Sequence, residues 1–144
     1  VKYGQLVEFT KKIEKLNEKQ KEEFLESCCK ELAARLLQKV IKRTPVGVYE
    51  HKKGGTLRRG WTAARNGAQG SNDIYIRKNG DSYIVDITNA VEYAMYVEYG
   101  HRTRDHKKWV PGKYMLTVSE KELQITAPQI LERKIKKFLE DAIQ

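Results

Sequence analysis

The chain has 144 residues, the size of one domain, and a chain of that length buries roughly 68–70% of the surface its unfolded form exposes. Charged residues make up 33% and the mean hydropathy is -0.70, so much of the surface must be hydrated or covered by other subunits. The formal net charge of +9 favours polyanionic or acidic partners, and no window approaches the ~18 uninterrupted apolar residues of a membrane span.

Residues 1–5 carry no apolar stretch of a signal sequence, and residence in a reducing cytoplasm is the expectation. Leu6, Phe9, Ile13 and Leu16 recur at steps of three and four, which predicts a short amphipathic helix. Asn17, with Gln20 three residues on, reads as the cap of a second helix. That helix carries Phe24, Leu25, Cys28, Cys29, Leu32, Ala33, Leu36, Leu37, Val40 and Ile41, a stripe too broad for one core-facing side. Its breadth points to an additional contact, such as a neighbouring subunit. Cys28 and Cys29 are helix neighbours that cannot bond without strain, so they are expected to be packed thiols. Pro45 ends the helix by restricting Thr44 and lacking an N–H.

Val46 to Gly55 lacks periodicity and predicts a long exposed loop. A strand over Arg59–Arg65 is followed by two more, in which Ile74 and Ile76, then Tyr83, Val85 and Ile87, alternate with polar residues around an Asn79-Gly80 hairpin turn. Tyr93, Ala94 and Val97 return to helical spacing for about two turns, with Asn89 as a cap and Gly100 as the stop. Leu116–Leu123 and Pro128–Ile143 read as C-terminal helix, with Pro128 at a first turn or a kink. The expected fold is α+β: long N-terminal helices packed on a small antiparallel β-sheet, with a short inserted helix and a C-terminal helix. It forms one domain over residues 1–144, divided into a helical arm (1–43), sheet and basic loops (44–113) and the terminal helix (114–144).

The positive charge is localised. Lys42–Arg65 holds seven basic residues against Glu50, a net +6, and His101–Lys113 holds five against Asp105, a net +4. Together they exceed the charge of the whole chain. Glycines and Pro111 make both segments loop-like, so the charge is expected on mobile or partner-ordered loops.

No acid, base or nucleophile stands at a recognised catalytic spacing, and no cofactor is expected. His101 and His106 sit among Arg102, Arg104 and Lys107, which raise the local potential against a metal ion. Glu98 has three readings: an ion pair with Arg58 or Arg59 in the same chain, a pair across a subunit boundary, or free exposure. Tyr93, Tyr96 and Tyr99 line one helix side and suit an interface, with core packing of the first two as the competing reading. Basic loops interleaved with Tyr49, Trp61 and Trp109 also suit nucleic-acid backbone contact, without any motif for sequence-specific reading.

Thr44-Pro45-Val46 followed by Gly55-Thr56-Leu57-Arg58-Arg59-Gly60-Trp61 resembles the "T-P-V … T-G-x-L-R-x-S-W" pattern of the neck and tail-component family of tailed bacteriophages and prophages. Asn89-Ala90-Val91-Glu92-Tyr93-Ala94-Met95-Tyr96-Val97-Glu98-Tyr99-Gly100 resembles its "N-x-x-x-Y-A-x-Y-V-E-x-G" segment. Two departures are Gly60 in place of a small polar residue and about six extra residues, Val48–Lys53. The resemblance implies a virion structural protein without enzymatic activity. It would act at the neck or tail top as a homo-oligomeric ring of six or twelve copies, against head-connector and tail-tube or sheath proteins, with contact to DNA in the channel as a further expectation. Arg58, Arg59, Trp61, Tyr96, Glu98, Tyr99, His101, Arg102, Arg104, Lys107, Lys108 and Trp109 are the expected assembly residues. The different-class alternative is a nucleic-acid-binding accessory module.

Overall fold

A computed structural model describes residues 18–47 and 54–143. The expected helix over Leu6–Leu16, its Asn17 boundary and the inserted tract 48–53 lie outside the described residues. Helix α1 (Glu18–Arg43) and helix α4 (Met115–Ile143) form an antiparallel pair, each roughly 40 Å long at about 1.5 Å per residue. Between them in sequence lie α2 (Thr56–Arg59), β1 (Trp61–Thr62), β2 (Arg77–Asn79), β3 (Ser82–Ile84), β4 (Thr88–Asn89), α3 (Ala94–Tyr99), β5 (Gly100–Arg102) and β6 (Trp109–Pro111). The α+β class read from the sequence is what the chain adopts. The sheet, however, is three separate antiparallel pairs, β1–β4, β2–β3 and β5–β6.

The helix pair is joined by apolar packing at one end and by ions along its length. Phe24 and Phe138 stack with centroids 4.3 Å apart. Lys134 Nζ lies 3.0 Å from Glu31, and Lys39 Nζ lies 3.3 Å from Glu122, which also accepts from Arg43. Arg43 Nε reaches the buried Ser119 hydroxyl, which itself donates to the Met115 carbonyl at 2.6 Å. Cys28, Ala33 and Val40 form the buried face of α1, and Met115 and Leu139 that of α4. Burial raises the pKa of both free thiols, in keeping with packed cysteines. Leu25 remains 46% exposed, so part of the broad stripe does face outward.

Helix α4 runs unbroken through Pro128 rather than starting there. The missing Pro128 N–H removes one rung of the helix ladder, while the Thr126 hydroxyl donates to the Glu122 and Leu123 carbonyls a turn earlier. In the β2–β3 hairpin Asn79 pairs with Ser82, so the turn is Gly80-Asp81, one residue later than the sequence reading. Positive φ at Gly80 alone fits a glycine-first two-residue turn. Ile74 makes only an isolated bridge with Ala63, and the ladder begins at Arg77.

The helix pair should respond to acid. Hydrogen bonds from Arg43 and Lys39 hold the Glu122 carboxyl below the usual glutamate range, and those from Lys134 and Arg35 do the same for Glu31. A depressed folded-state pKa gives stability that is fully present above the unfolded value and is lost as pH falls through the folded one. Thermal unfolding at pH 7 and pH 3 should therefore show a smaller acid-induced drop in Tm for the Glu31→Gln/Glu122→Gln double variant than for the parent.

Candidate assembly surface

The two tracts singled out in the sequence fold into two clasps, one at the end of α1 and one at the start of α4. Thr44 follows the last turn of α1 and is fully buried. Its hydroxyl donates to the Val40 carbonyl at 2.6 Å and accepts from Trp61 Nε1 at 2.7 Å. Its carbonyl accepts from Arg58 Nε at 3.2 Å and Nη2 at 2.7 Å, and the same Nη2 reaches the Lys42 carbonyl at 3.4 Å. These are carbonyls that a helix C-terminus leaves without partners, at the end where a cation is favoured. The short α2 helix, entered through Gly55 at φ 93°, carries that guanidinium to them. Arg59 donates to the Gly54 carbonyl at 2.9 Å. Both arginines and Trp61 therefore bond within the chain, the arginines to backbone carbonyls rather than to Glu98 and Trp61 to the Thr44 hydroxyl.

Glu98 resolves differently from the expected ion pair with Arg58 or Arg59. Its buried carboxylate accepts from the Leu116 and Thr117 N–H groups at 3.0 and 2.9 Å and from the Thr117 hydroxyl at 2.7 Å. It thus occupies the N-terminus of α4, where unpaired N–H groups and the helix dipole favour an anion. The Lys113 N–H to Val97 carbonyl and Tyr114 N–H to Glu98 carbonyl bonds complete the joint. Gly100, at φ 91° and ψ 172°, occupies a region essentially reserved for glycine. A Cβ there would lie 2.6 Å from the Val110 carbonyl oxygen, and one at Gly112 would lie 2.3 Å from the Glu98 carbonyl oxygen.

Asn89 ties the two tracts together. Its amide donates to the Leu57 carbonyl at 2.8 Å while its carbonyl oxygen accepts from Val91 N–H, and it pairs with Trp61 across β1–β4. It is not the cap of α3, which begins after Tyr93 without a side-chain cap. The departure at Gly60 also has a cause, because a Cβ there would come within 2.4 Å of Asn89 Oδ1.

Beside the second clasp, α3 and the following strands leave several aromatic and apolar side chains uncovered. Met95 is 70% exposed, Tyr96 60%, Trp109 59% and Tyr99 56%, while Val97 and Glu98 on the other side of α3 turn inward. Tyr93 is exposed as well, so the core reading of Tyr93 and Tyr96 does not hold. Tyr99 meets Tyr114 edge-on at 6.4 Å, and Tyr96 lies 5.8 Å from the His101 ring. His101 Nδ1 is buried without a hydrogen-bond partner. Sequence reasoning missed Met95, Val110 and Tyr114 in this cluster. The signal for Met95 was its place four residues before Tyr99, on the same helix side.

The segment His101–Lys113, expected as a mobile or partner-ordered loop, contains most of the β5–β6 hairpin, with Arg102 opposite Trp109 and His101 opposite Val110. Its tip is closed by the Thr103 N–H to Lys108 carbonyl and His106 N–H to Thr103 carbonyl bonds, both 2.8 Å. Asp105 accepts from the Thr103 hydroxyl at 2.6 Å and Lys107 N–H at 3.0 Å, and these bonds hold its carboxyl below the usual range. Arg102, Arg104, Lys107 and Lys108 are exposed. A cleft of about 780 Å³ opens between residues 63–67 and 85–90, with the Arg77–Asp86 pair at 3.4 Å in its lining.

A family model described as "Bacteriophage HK97-gp10, putative tail-component" matches residues 7–100. No curated protein and no solved structure matches the chain. The match ends at Gly100, so it contains both clasp tracts and α3 but not the remainder of the basic hairpin.

Two substitutions test the clasps. Thr44→Val keeps the side-chain volume but strips Trp61 Nε1 of its acceptor, and should lower unfolding free energy by about 1–3 kcal/mol in urea titrations. Glu98→Ala frees the first N–H groups of α4, and should lower it by roughly 0.5–2 kcal/mol, the range for a lost helix cap. The chain, by its match over residues 7–100, belongs to the HK97-gp10-like family of bacteriophage tail components.

Proposed function

We propose that this tail component assembles into a closed ring at the head-proximal end of a phage tail or phage-tail-like particle. There it acts in neck formation, tail completion or tail-length termination, as a structural protein rather than an enzyme. The observation that carries the reading is that Met95, Tyr96 and Tyr99 on α3 and Trp109 on β6 are each more than half exposed, beside the clasp that Glu98 closes. Aromatic rings and methionine are enriched in the buried centre of protein interfaces, and exposed clusters of them mark docking sites.

Among the described residues, the patch lies at one end of the helix pair. Helix α4 starts beside it, and the far end of the helix pair, at Phe24 and Phe138, lies about 30 Å away along α1. A patch at one end that docks on a different surface of the next copy makes a head-to-tail contact, which closes into a ring when the rotation per subunit divides a full turn. Six copies are the expected number, with twelve as the other closed arrangement, and head-connector and tail-tube or sheath proteins bound the ring on its two faces.

Met95→Ser/Tyr96→Ser removes the centre of the patch and touches neither clasp. The variant should keep the parent's melting temperature, sediment as a monomer under conditions where the parent forms rings, and be missing from purified particles imaged without imposed symmetry. Parent-like rings and normal occupancy at the tail top in this variant would contradict the reading.

A further inference from the structure

The β5–β6 hairpin has a chemistry that the aromatic patch does not use. Arg102, Arg104, Lys107, Lys108 and Lys113 fall within twelve residues, against one carboxylate. That carboxylate, on Asp105, accepts from the Thr103 hydroxyl and the Lys107 N–H and stays charged, so it closes the tip and leaves the segment a net +4. Among the described residues, ion pairs draw on Lys21, Arg35, Lys39, Arg43, Arg77, Lys78 and Lys134, and on none of the hairpin cations. Trp109, 59% exposed, stands directly across the ladder from Arg102.

We infer that this hairpin is a binding finger for the sugar–phosphate backbone of duplex DNA. A segment of five cations and one acid complements a uniformly anionic surface better than one of mixed sign. Duplex DNA presents one negative charge per roughly 1.7 Å of axis, an array that a cluster of long cationic side chains meets in any register. The tip is braced by its own backbone and Thr103–Asp105 bonds, so its cations are gathered before DNA arrives and little ordering is required on binding. This inference does not depend on ring closure, because the finger is complete in one copy of the chain.

The test is anisotropy of a fluorescent 30-base-pair duplex titrated with the full chain between 50 and 200 mM salt. Arg104→Ala/Lys107→Ala/Lys108→Ala should bind at least about tenfold more weakly at 100 mM salt, and the slope of log K against log salt should fall by roughly 2.7, as for three lost phosphate contacts. Arg133→Ala/Lys136→Ala/Lys137→Ala removes the same charge from the exposed side of α4 and should bind like the parent. Equal weakening by both variants would reduce the effect to net charge and overturn the inference. So would parent-like DNA binding by the hairpin variant, and if that variant also failed to enter particles, the finger would be a protein-docking surface instead. Melting temperature and solution mass, recorded on the same samples, separate these outcomes from misfolding or from failure of the ring reading.

Discussion

The buried Thr44 side chain is the joint on which the described fold turns. One hydroxyl bridges the last turn of α1 to Trp61, and the carbonyl of the same residue holds Arg58. A helix C-terminus this close to a second element needs partners for its carbonyls, and threonine satisfies the need in both directions, as donor and as acceptor. Pro45 then sends the chain away from the helix axis. Without that joint, α2 and β1 would have no fixed relation to the long helix, and Asn89 would have no fixed ridge to grip at Leu57 and Gly60.

The same logic recurs at the other end of the mixed region, with the sign of the charge reversed. A cation meets the C-terminus of α1, and an anion, Glu98, meets the N-terminus of α4. Each helix end is closed by a side chain from a short helix, so α2 and α3 serve as levers anchored on the long pair. The consequence for function is rigidity at the outer side of α3. Rings carried on an anchored lever pay less conformational entropy on docking than rings on a free loop. That is why residues that look like assembly contacts in sequence divide in the structure: Arg58, Arg59, Trp61 and Glu98 build the frame, and Tyr96, Tyr99 and Trp109 are displayed on it.

Local signals in the sequence carried the helices and one hairpin. The stripe from Phe24 to Ile41 and the stop at Pro45 locate α1, and the spacing of Tyr93, Ala94 and Val97 before Gly100 locates α3. The Asn79-Gly80 turn signal locates the β2–β3 hairpin to within one residue, although Ile74, Ile76, Val85 and Ile87 of the expected alternation fall outside both strands. What escaped was set by distant contacts. Strands β5 (Gly100–Arg102) and β6 (Trp109–Pro111) are three residues each, too short for any alternation to announce them, and their pairing depends on the backbone approach of Gly100 and Gly112. The partner of Glu98 lies eighteen residues further along, at a helix start that the sequence does not mark with a capping residue of its own. The glycine at position 60 reads as a substitution in the motif, and becomes a packing requirement only once Asn89 is seen against it. Both tracts carry bonds that hold this fold, through Arg58 and Trp61 in one and Asn89 and Glu98 in the other.

The central claim is that the displayed side of α3 and the adjoining strand β6 is the surface by which this tail component joins its neighbours. Hydroxyl-radical footprinting of the isolated chain and of assembled particles addresses it directly, because methionine, tyrosine and tryptophan report side-chain exposure one residue at a time. Met95, Tyr96, Tyr99 and Trp109 should be reactive in the isolated chain and protected in particles, while Tyr75, exposed beside the cleft, keeps its reactivity. Equal reactivity of the four in both states, in particles shown to contain the protein, would contradict the account.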